Sequence, residues 1–133
     1  MATILHGKEA ATTYKQQIKQ TVDSALSQGL KKPHLAAILV GEDPASVAYV
    51  RGKVRDCDQV GFDSTLIKLP KNVSESDLLT AIDGLNHDDA IDGFIVQLPL
   101  PDHIDDKAVL MAIDPKKDVD GFHPENVGRM ALG

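Results

Sequence analysis

The sequence has a single cysteine, too few basic residues to balance its acids, no long apolar run and no glycine-rich nucleotide loop. Each shortage excludes something. Cys57 has no partner for an internal disulfide, and a lone thiol carries no mark of an oxidising compartment, so the expected location is the cytoplasm. Lys and Arg total 14 against 20 Asp and Glu, a formal charge of −6. That balance repels phosphate backbones and anionic lipid surfaces, so neither nucleic acid nor membrane is an expected partner. The longest apolar run, Leu35 to Val40, is far below membrane-spanning length. The opening Met1-Ala2-Thr3-Ile4-Leu5-His6 lacks the basic start and apolar stretch of a signal peptide. No Gly-x-Gly-x-x-Gly occurs, and neither Gly7-Lys8 nor Gly52-Lys53 has the upstream glycine of a P-loop. His6, His34, His87, His103 and His123 lack the spacing of a helical zinc site, so no metal is expected. Asp118-Val119-Asp120-Gly121 looks like part of a calcium loop, but Lys116 and Val127 stand where its end carboxylates belong.

What remains is an ordinary composition, with 133 residues of which 42% are hydrophobic and 26% charged, enough for one core and hence one domain over 1–133. From Lys8 to Gln28, Ala11, Tyr14, Ile18, Val22 and Ala25 recur at helical spacing, and Gly29 follows as a C-terminal stop. Leu35 to Val40 reads as a strand covered on both faces, as in a parallel sheet. Asp43-Pro44 then opens a helix that should run from Pro44 to Val60 and close at Gly61. Thr65 to Leu69 is a second strand candidate. Ser74-Glu75-Ser76-Asp77 resembles a capping box ahead of Leu78, Leu79, Ile82 and Leu85. Ile91 to Gln97 is a third strand candidate, broken only at Asp92-Gly93 and followed by Leu98-Pro99-Leu100-Pro101. A shorter helix is predicted over Asp105 to Ile113, then a loop tail with a final turn near Asn126 to Leu132. Strands alternating with helices define an α/β fold, a three-layer α/β/α arrangement around a small, mostly parallel sheet. Ligands in such folds bind beyond the carboxyl ends of the strands. That condition selects Gly41 to Ser46, Gln97 to Pro101 and the loop after Asp114.

On the second helix, Val47, Val50, Val54 and Cys57 form an apolar stripe with Ser46, Tyr49, Lys53 and Asp56 along one flank. Tyr49 and Lys53 at the edge of a buried face can project together into a cleft, one as a stacking surface and the other as a proton carrier. Equally, Tyr49 can cover core while Lys53 snorkels to solvent. Arg51 lies as near the stripe as Lys53, so helical phase does not choose between them. The Tyr-x-x-x-Lys spacing also resembles that of short-chain dehydrogenases, whose glycine-rich turn is missing here. Gln97 ends an apolar strand before two prolines; it either caps loop backbone or serves a site. Lys117 to Phe122 reads as a solvated turn, yet a carboxylate there can accept paired hydrogen bonds from a ring bearing adjacent N–H groups.

Three separated blocks then act together: Val40-Gly41-Glu42-Asp43-Pro44-Ala45-Ser46 with Tyr49 and Lys53, Gly93 through Pro101, and Asp114 through Phe122 with Asn126 and Gly128-Arg129. The ordered set resembles the bifunctional methylenetetrahydrofolate dehydrogenase/methenyltetrahydrofolate cyclohydrolase (FolD) family, from the opening helix to Gly133. The resemblance implies an enzyme of one-carbon metabolism, serving purine and amino-acid biosynthesis. Such an enzyme oxidises 5,10-methylenetetrahydrofolate with NADP, or NAD, and hydrolyses the methenyl product to 10-formyltetrahydrofolate. By position it implies Lys53, Gln97 and Tyr49 as catalytic residues. It implies Ser46, Tyr49, Val96, Gln97, Leu98, Pro99 and Asp120 as the folate contacts, with Tyr49 stacked on the aminobenzoyl ring and Asp120 on the pterin. Family members carry a second, NAD(P)-binding Rossmann domain that this chain lacks, so no cofactor-binding residue is expected here. The chain is then expected to be the catalytic half of a longer enzyme, itself a homodimer. On its own it should be a monomer or non-native oligomer with an exposed apolar groove where a C-terminal segment would return. The alternatives are a folate-binding module without turnover, and a plain α/β scaffold.

Overall fold

The apolar run at the centre of the sequence becomes the centre of the sheet. In a computed structural model describing residues 1–2 and 4–133, β1 (His34–Val40) lies between β2 (Asp63–Leu69) and β3 (Gly93–Val96) in the order β2-β1-β3. Both pairings are parallel; His34 aligns with Asp63 through to Val40 with Leu69, and Leu35 with Gly93 through to Ile38 with Val96. Around the sheet stand α1 (Gly7–Ser27), α2 (Pro44–Val60), α3 (Glu75–Asn86), α4 (Asp106–Ala112) and α5 (Pro124–Leu132). The chain steps outward from β1 to β2 and then back past β1 to β3. With right-handed crossovers that reversal puts α2 on one face and α3 on the other.

Residue parity along β1 separates two packing zones. Ala36, Ile38 and Val40 join Phe94 and Val96 against Leu78, Ile82 and Leu85 of α3 and Val109 of α4. Ala37 and Leu39 face the other way onto Val50 of α2, with Val47, Val54 and Leu66 around them. The absence of polar alternation in β1 follows from this double coverage.

Local signals set the helix limits. Asp43 Oδ1 accepts the Ser46 N–H at 2.8 Å, and Pro44 occupies the first turn of α2, where no N–H is needed. At its far end Gly61 sits at φ +83°, so that the Phe62 N–H reaches back to the Cys57 carbonyl at 2.9 Å. Ser74, Asp105 and His123 cap α3, α4 and α5 through side-chain acceptors.

Three departures from the sequence expectation have physical causes. Only Val22 of the α1 stripe is buried; Tyr14 and Ile18 stay 67% and 43% exposed. The helix rests on α2, with Lys15 Nζ bonded to Asp56 at 2.6 Å and Gln59 at 2.9 Å, and lies outside the sheet contact. β3 begins at Gly93 because Ile91 closes a turn onto Asp88. The tail forms a helix of nine residues, since Pro124 and the His123 cap give it a start.

Ile82→Ala on the α3 side should cost about 2–5 kcal/mol of unfolding free energy by chemical denaturation, while Ile18→Ala should cost under about 1. Similar losses at both positions would contradict this division of buried and exposed faces.

Candidate active site

Gln97 lies one step beyond β3 with the parity of Gly93 and Ile95, which face α2 through their alignment with Leu35 and Ala37. Its N–H extends the ladder to Ile38 O at 2.9 Å, so its backbone belongs to the sheet. The side-chain amide is aimed by its neighbour: Nε2 donates to Leu98 O at 2.9 Å, which leaves Oε1 to accept from Lys53 Nζ at 3.3 Å. The Gln97 amide thus bonds loop backbone with its nitrogen and Lys53 with its oxygen. Asp120 Oδ1 stands 4.0 Å from the same ammonium. Side chains of Lys53 and Asp120 are 34% and 31% exposed, so the pair is open to water and weak enough for a ligand to exchange.

Lys53 is thus directed at two partners and does not run free into solvent, and the exposed Arg51 stays out of the cluster. Tyr49, one turn before Lys53, is 67% exposed and covers no core, so its ring is free to stack. Ser46 is 2% exposed, and its Oγ has no hydrogen-bond partner at ordinary distance. Val96 does not join them: its side chain is buried at 4% exposure in the α3-side core, which leaves only its main chain to face a ligand. Leu98 packs half-buried against that same core. Pro99 follows a cis peptide bond and lines a separate cavity with Gly41, Asp43 and Lys71. Of the segments expected at the strand ends, Gln97 and the loop after Asp114 meet at the middle of α2, while Gly41 to Asp43 stand apart beside Pro99.

Behind Lys53 and Asp120 a cleft of about 560 Å³ opens between α1, α2 and the edge of β3. Its walls are apolar, with Ile18, Cys57, Val60, Phe62, Ile95 and Val119 among them. Desolvation pushes the Cys57 thiol above its ordinary value, and the charges of Asp58 and Asp56 add to that. Among the described residues no group of His, Cys, Asp and Glu is arranged to hold a metal, and no helix is long and apolar enough to cross a membrane.

Asp120 reaches Lys53 because residues 117–119 run against the outer edge of β3. The Phe94 N–H donates to Lys117 O at 2.9 Å, and Phe94 bridges to Asp118. Gly93 permits the approach: a Cβ there would stand 2.5 Å from Val119 Cγ2. Lys117 is pinned by bonds to the Leu85 and Asp88 carbonyls at 2.8 and 2.7 Å, and Asn86 Oδ1 accepts the Asp114 N–H at 2.8 Å. In sequence Lys117 and Asp118 pass for a solvated turn; these anchors join residues about thirty apart, a separation no local pattern reports.

These features define a class: an α/β domain with a polar lysine–amide–carboxylate cluster beside an exposed aromatic ring, at the mouth of an apolar cleft. The chain belongs to the tetrahydrofolate dehydrogenase/cyclohydrolase family, whose catalytic-domain description matches residues 5–120. It is 55% identical over 129 residues to the bifunctional protein FolD of Flavobacterium johnsoniae, covering 97% of this chain and 44% of that one. The crystal structure of the bifunctional FolD dehydrogenase/cyclohydrolase from Campylobacter jejuni superposes with a TM-score of 0.94 at 44% identity, covering 98% of this chain and 46% of that one. The Trypanosoma brucei dehydrogenase–cyclohydrolase, complexed with NADP and an inhibitor, gives 0.93 at 32% identity, over 98% of this chain and 44% of that one. The chain spans about half the length of the relatives it matches.

Gly93→Ala should displace Val119 and cost about 1–3 kcal/mol by thermal denaturation. An unchanged melting temperature would show that the segment yields freely.

Acid should loosen the same region. At Asp118 desolvation pushes the carboxyl up, but the Asn126 amide and the backbone N–H groups of His123, Phe122 and Gly121 together hold it below the ordinary 3.8. Lys31 chiefly holds Asp92 low, and Lys32 chiefly holds Asp63 low. With folded values under the unfolded ones, these carboxylates stabilise the fold above about pH 4, and the contribution is lost as pH falls through the folded values. Asp118→Asn should therefore be less stable than wild type near pH 6, with the gap closing near pH 3. A gap that persists in acid would contradict the assignment.

Proposed function

We propose that this chain is the folate-binding, catalytic part of a bifunctional enzyme that oxidises 5,10-methylenetetrahydrofolate and hydrolyses 5,10-methenyltetrahydrofolate to 10-formyltetrahydrofolate. The observation that carries the reading is Lys53, held between the Gln97 oxygen and the Asp120 carboxylate with Tyr49 open beside it. The aminobenzoyl ring stacks on Tyr49, and the pterin's adjacent N–H groups engage Asp120, whose two oxygens accept a paired set of bonds. Ser46, Leu98, Pro99 and the main chain of Val96 complete the folate contacts.

A ring that occupies Asp120 takes a counter-charge from Lys53 and brings a cationic methenyl carbon close to it. Proton acceptance at that carbon calls for the unprotonated amine. Gln97 Oε1, fixed by the bond from its own Nε2 to Leu98, keeps the nitrogen aimed. Water then adds to the methenyl carbon and passes a proton to Lys53. Returning that proton to the ring nitrogen breaks the C–N bond, and release of the remaining hydroxyl proton to solvent leaves the formyl group on the other nitrogen.

The hydride step needs NADP, which supplies the acceptor when bound. These residues offer no place for its pyrophosphate, since there is no glycine-rich loop and the start of α2 is flanked by Glu42 and Asp43. No hydride step is assigned to these residues. We also place that enzyme in the cytoplasm, in one-carbon supply for purine and amino-acid biosynthesis, and expect it to be a homodimer. The open cleft behind Lys53 favours one second reading, a folate-binding half-site that turns over only when the cleft is covered.

The loss of methenyltetrahydrofolate absorbance, followed in a non-nucleophilic buffer, should exceed the blank and fall about 10²–10⁴-fold in Lys53→Met, with binding retained. Equal turnover in that variant would remove Lys53 from its role. Saturable binding without turnover would select the half-site reading.

A further inference from the structure

We infer that Asp118, braced by Asn126, is the positioning residue that aims Asp120 at Lys53 and at a bound ligand. The inference rests on the folate reading only for the identity of that ligand. Among the described residues Asp120 accepts no side-chain hydrogen bond, and its ion-pair partner is Lys53, 4.0 Å away. Its aim therefore comes from the backbone that carries it. That backbone is wrapped around a different carboxylate. Asp118 Oδ2 accepts the His123 N–H at 2.8 Å and Asn126 Nδ2 at 2.9 Å. The Gly121 N–H closes the turn on the main chain, donating to Asp118 O at 3.3 Å. Asp120 thus sits inside a turn whose near end supplies the acceptor and whose far end supplies the donors.

Asn126 extends the brace by donating also to Pro115 O at 2.8 Å, which ties the first turn of α5 to the start of the loop. The main chain of Asp118 is fixed from the other side by its bridge to Phe94, three residues before Gln97. Asp120 and Gln97, the two partners of Lys53, are therefore held in one frame through the Phe94–Asp118 bridge. Asp118 itself is not a contact residue. Lys53 makes an ion pair within 4.0 Å with Asp120 and none with Asp118, whose oxygen is engaged by the turn.

The test is a double-mutant cycle read with two ligands. Binding of 5,10-methenyltetrahydrofolate and of p-aminobenzoylglutamate, which lacks the pterin, is measured for wild type, Asp118→Ala, Asp120→Ala and the double variant. Positioning predicts that Asp118→Ala weakens the pterin ligand about tenfold, leaves the pterin-free ligand within about twofold, and adds less than about twofold once Asp120 is gone. Equal weakening of both ligands, or full additivity in the double variant, would overturn it. If Asp118→Ala does not fold, Asn126→Ala replaces it in the cycle with the same two outcomes. Failure of wild type to bind either ligand would sink the folate reading alone. Amide hydrogen exchange then decides the inference: Asp118→Ala should speed exchange at His123, whose N–H the carboxylate accepts, by at least about tenfold while β1 and α2 stay protected. Unchanged exchange at that amide would overturn it.

Discussion

The approach of residues 117–119 to the outer edge of β3 is the contact on which the rest depends. It satisfies an edge that would otherwise present unpaired backbone, since Phe94 gives its N–H to Lys117. It also brings a carboxylate from a loop to an amine on a helix across the strand between them. A side chain at position 93 would occupy the space of Val119, so a missing methyl group at one residue underlies the geometry of the site. The Asp92-Gly93 interruption of an apolar strand has its explanation there.

Helix α2 supplies the other half. Its inward stripe meets the odd-numbered face of β1, and that seating turns the Tyr49–Lys53 flank toward the edge of β3. Lys53 then meets an amide oxygen and a carboxylate instead of bulk water. Neither partner buries the charge, because a third of the lysine side chain stays exposed. A polar, exchangeable pair at the mouth of an apolar cleft suits a flat, partly cationic ligand with hydrogen-bonding edges. Membership of the folate dehydrogenase/cyclohydrolase family accords with that chemistry.

The described residues leave apolar surface open. Val119 on the cleft wall, Phe122 in the following loop, and Val127 and Met130 on α5 lie exposed, and α5 buries none of its residues. Relatives about twice as long align over this portion.

Much was legible in sequence because it is local. Asp43-Pro44 and Gly61 bound α2 at the residues expected, and the Leu35–Val40 run announced a doubly covered strand, since capping and continuous apolarity depend on near neighbours. Tyr49, Lys53, Gln97 and Asp120 were marked by their blocks. Their meeting was not, because Lys53 could have served core, solvent or site, and helical phase left Arg51 an equal claim. The sheet order resolved that by setting which flank of α2 faces β3. Val96 went the other way, since strand parity sends its side chain to the core. Lys117 and Asp118 read as a solvated turn until packing placed them against α3, β3 and Asn126 of α5. Backbone caps and strand character were determined by the chain's own order of residues, whereas the ligands of Lys53 were decided only when segments far apart in sequence were pressed together by the burial of the two faces of β1.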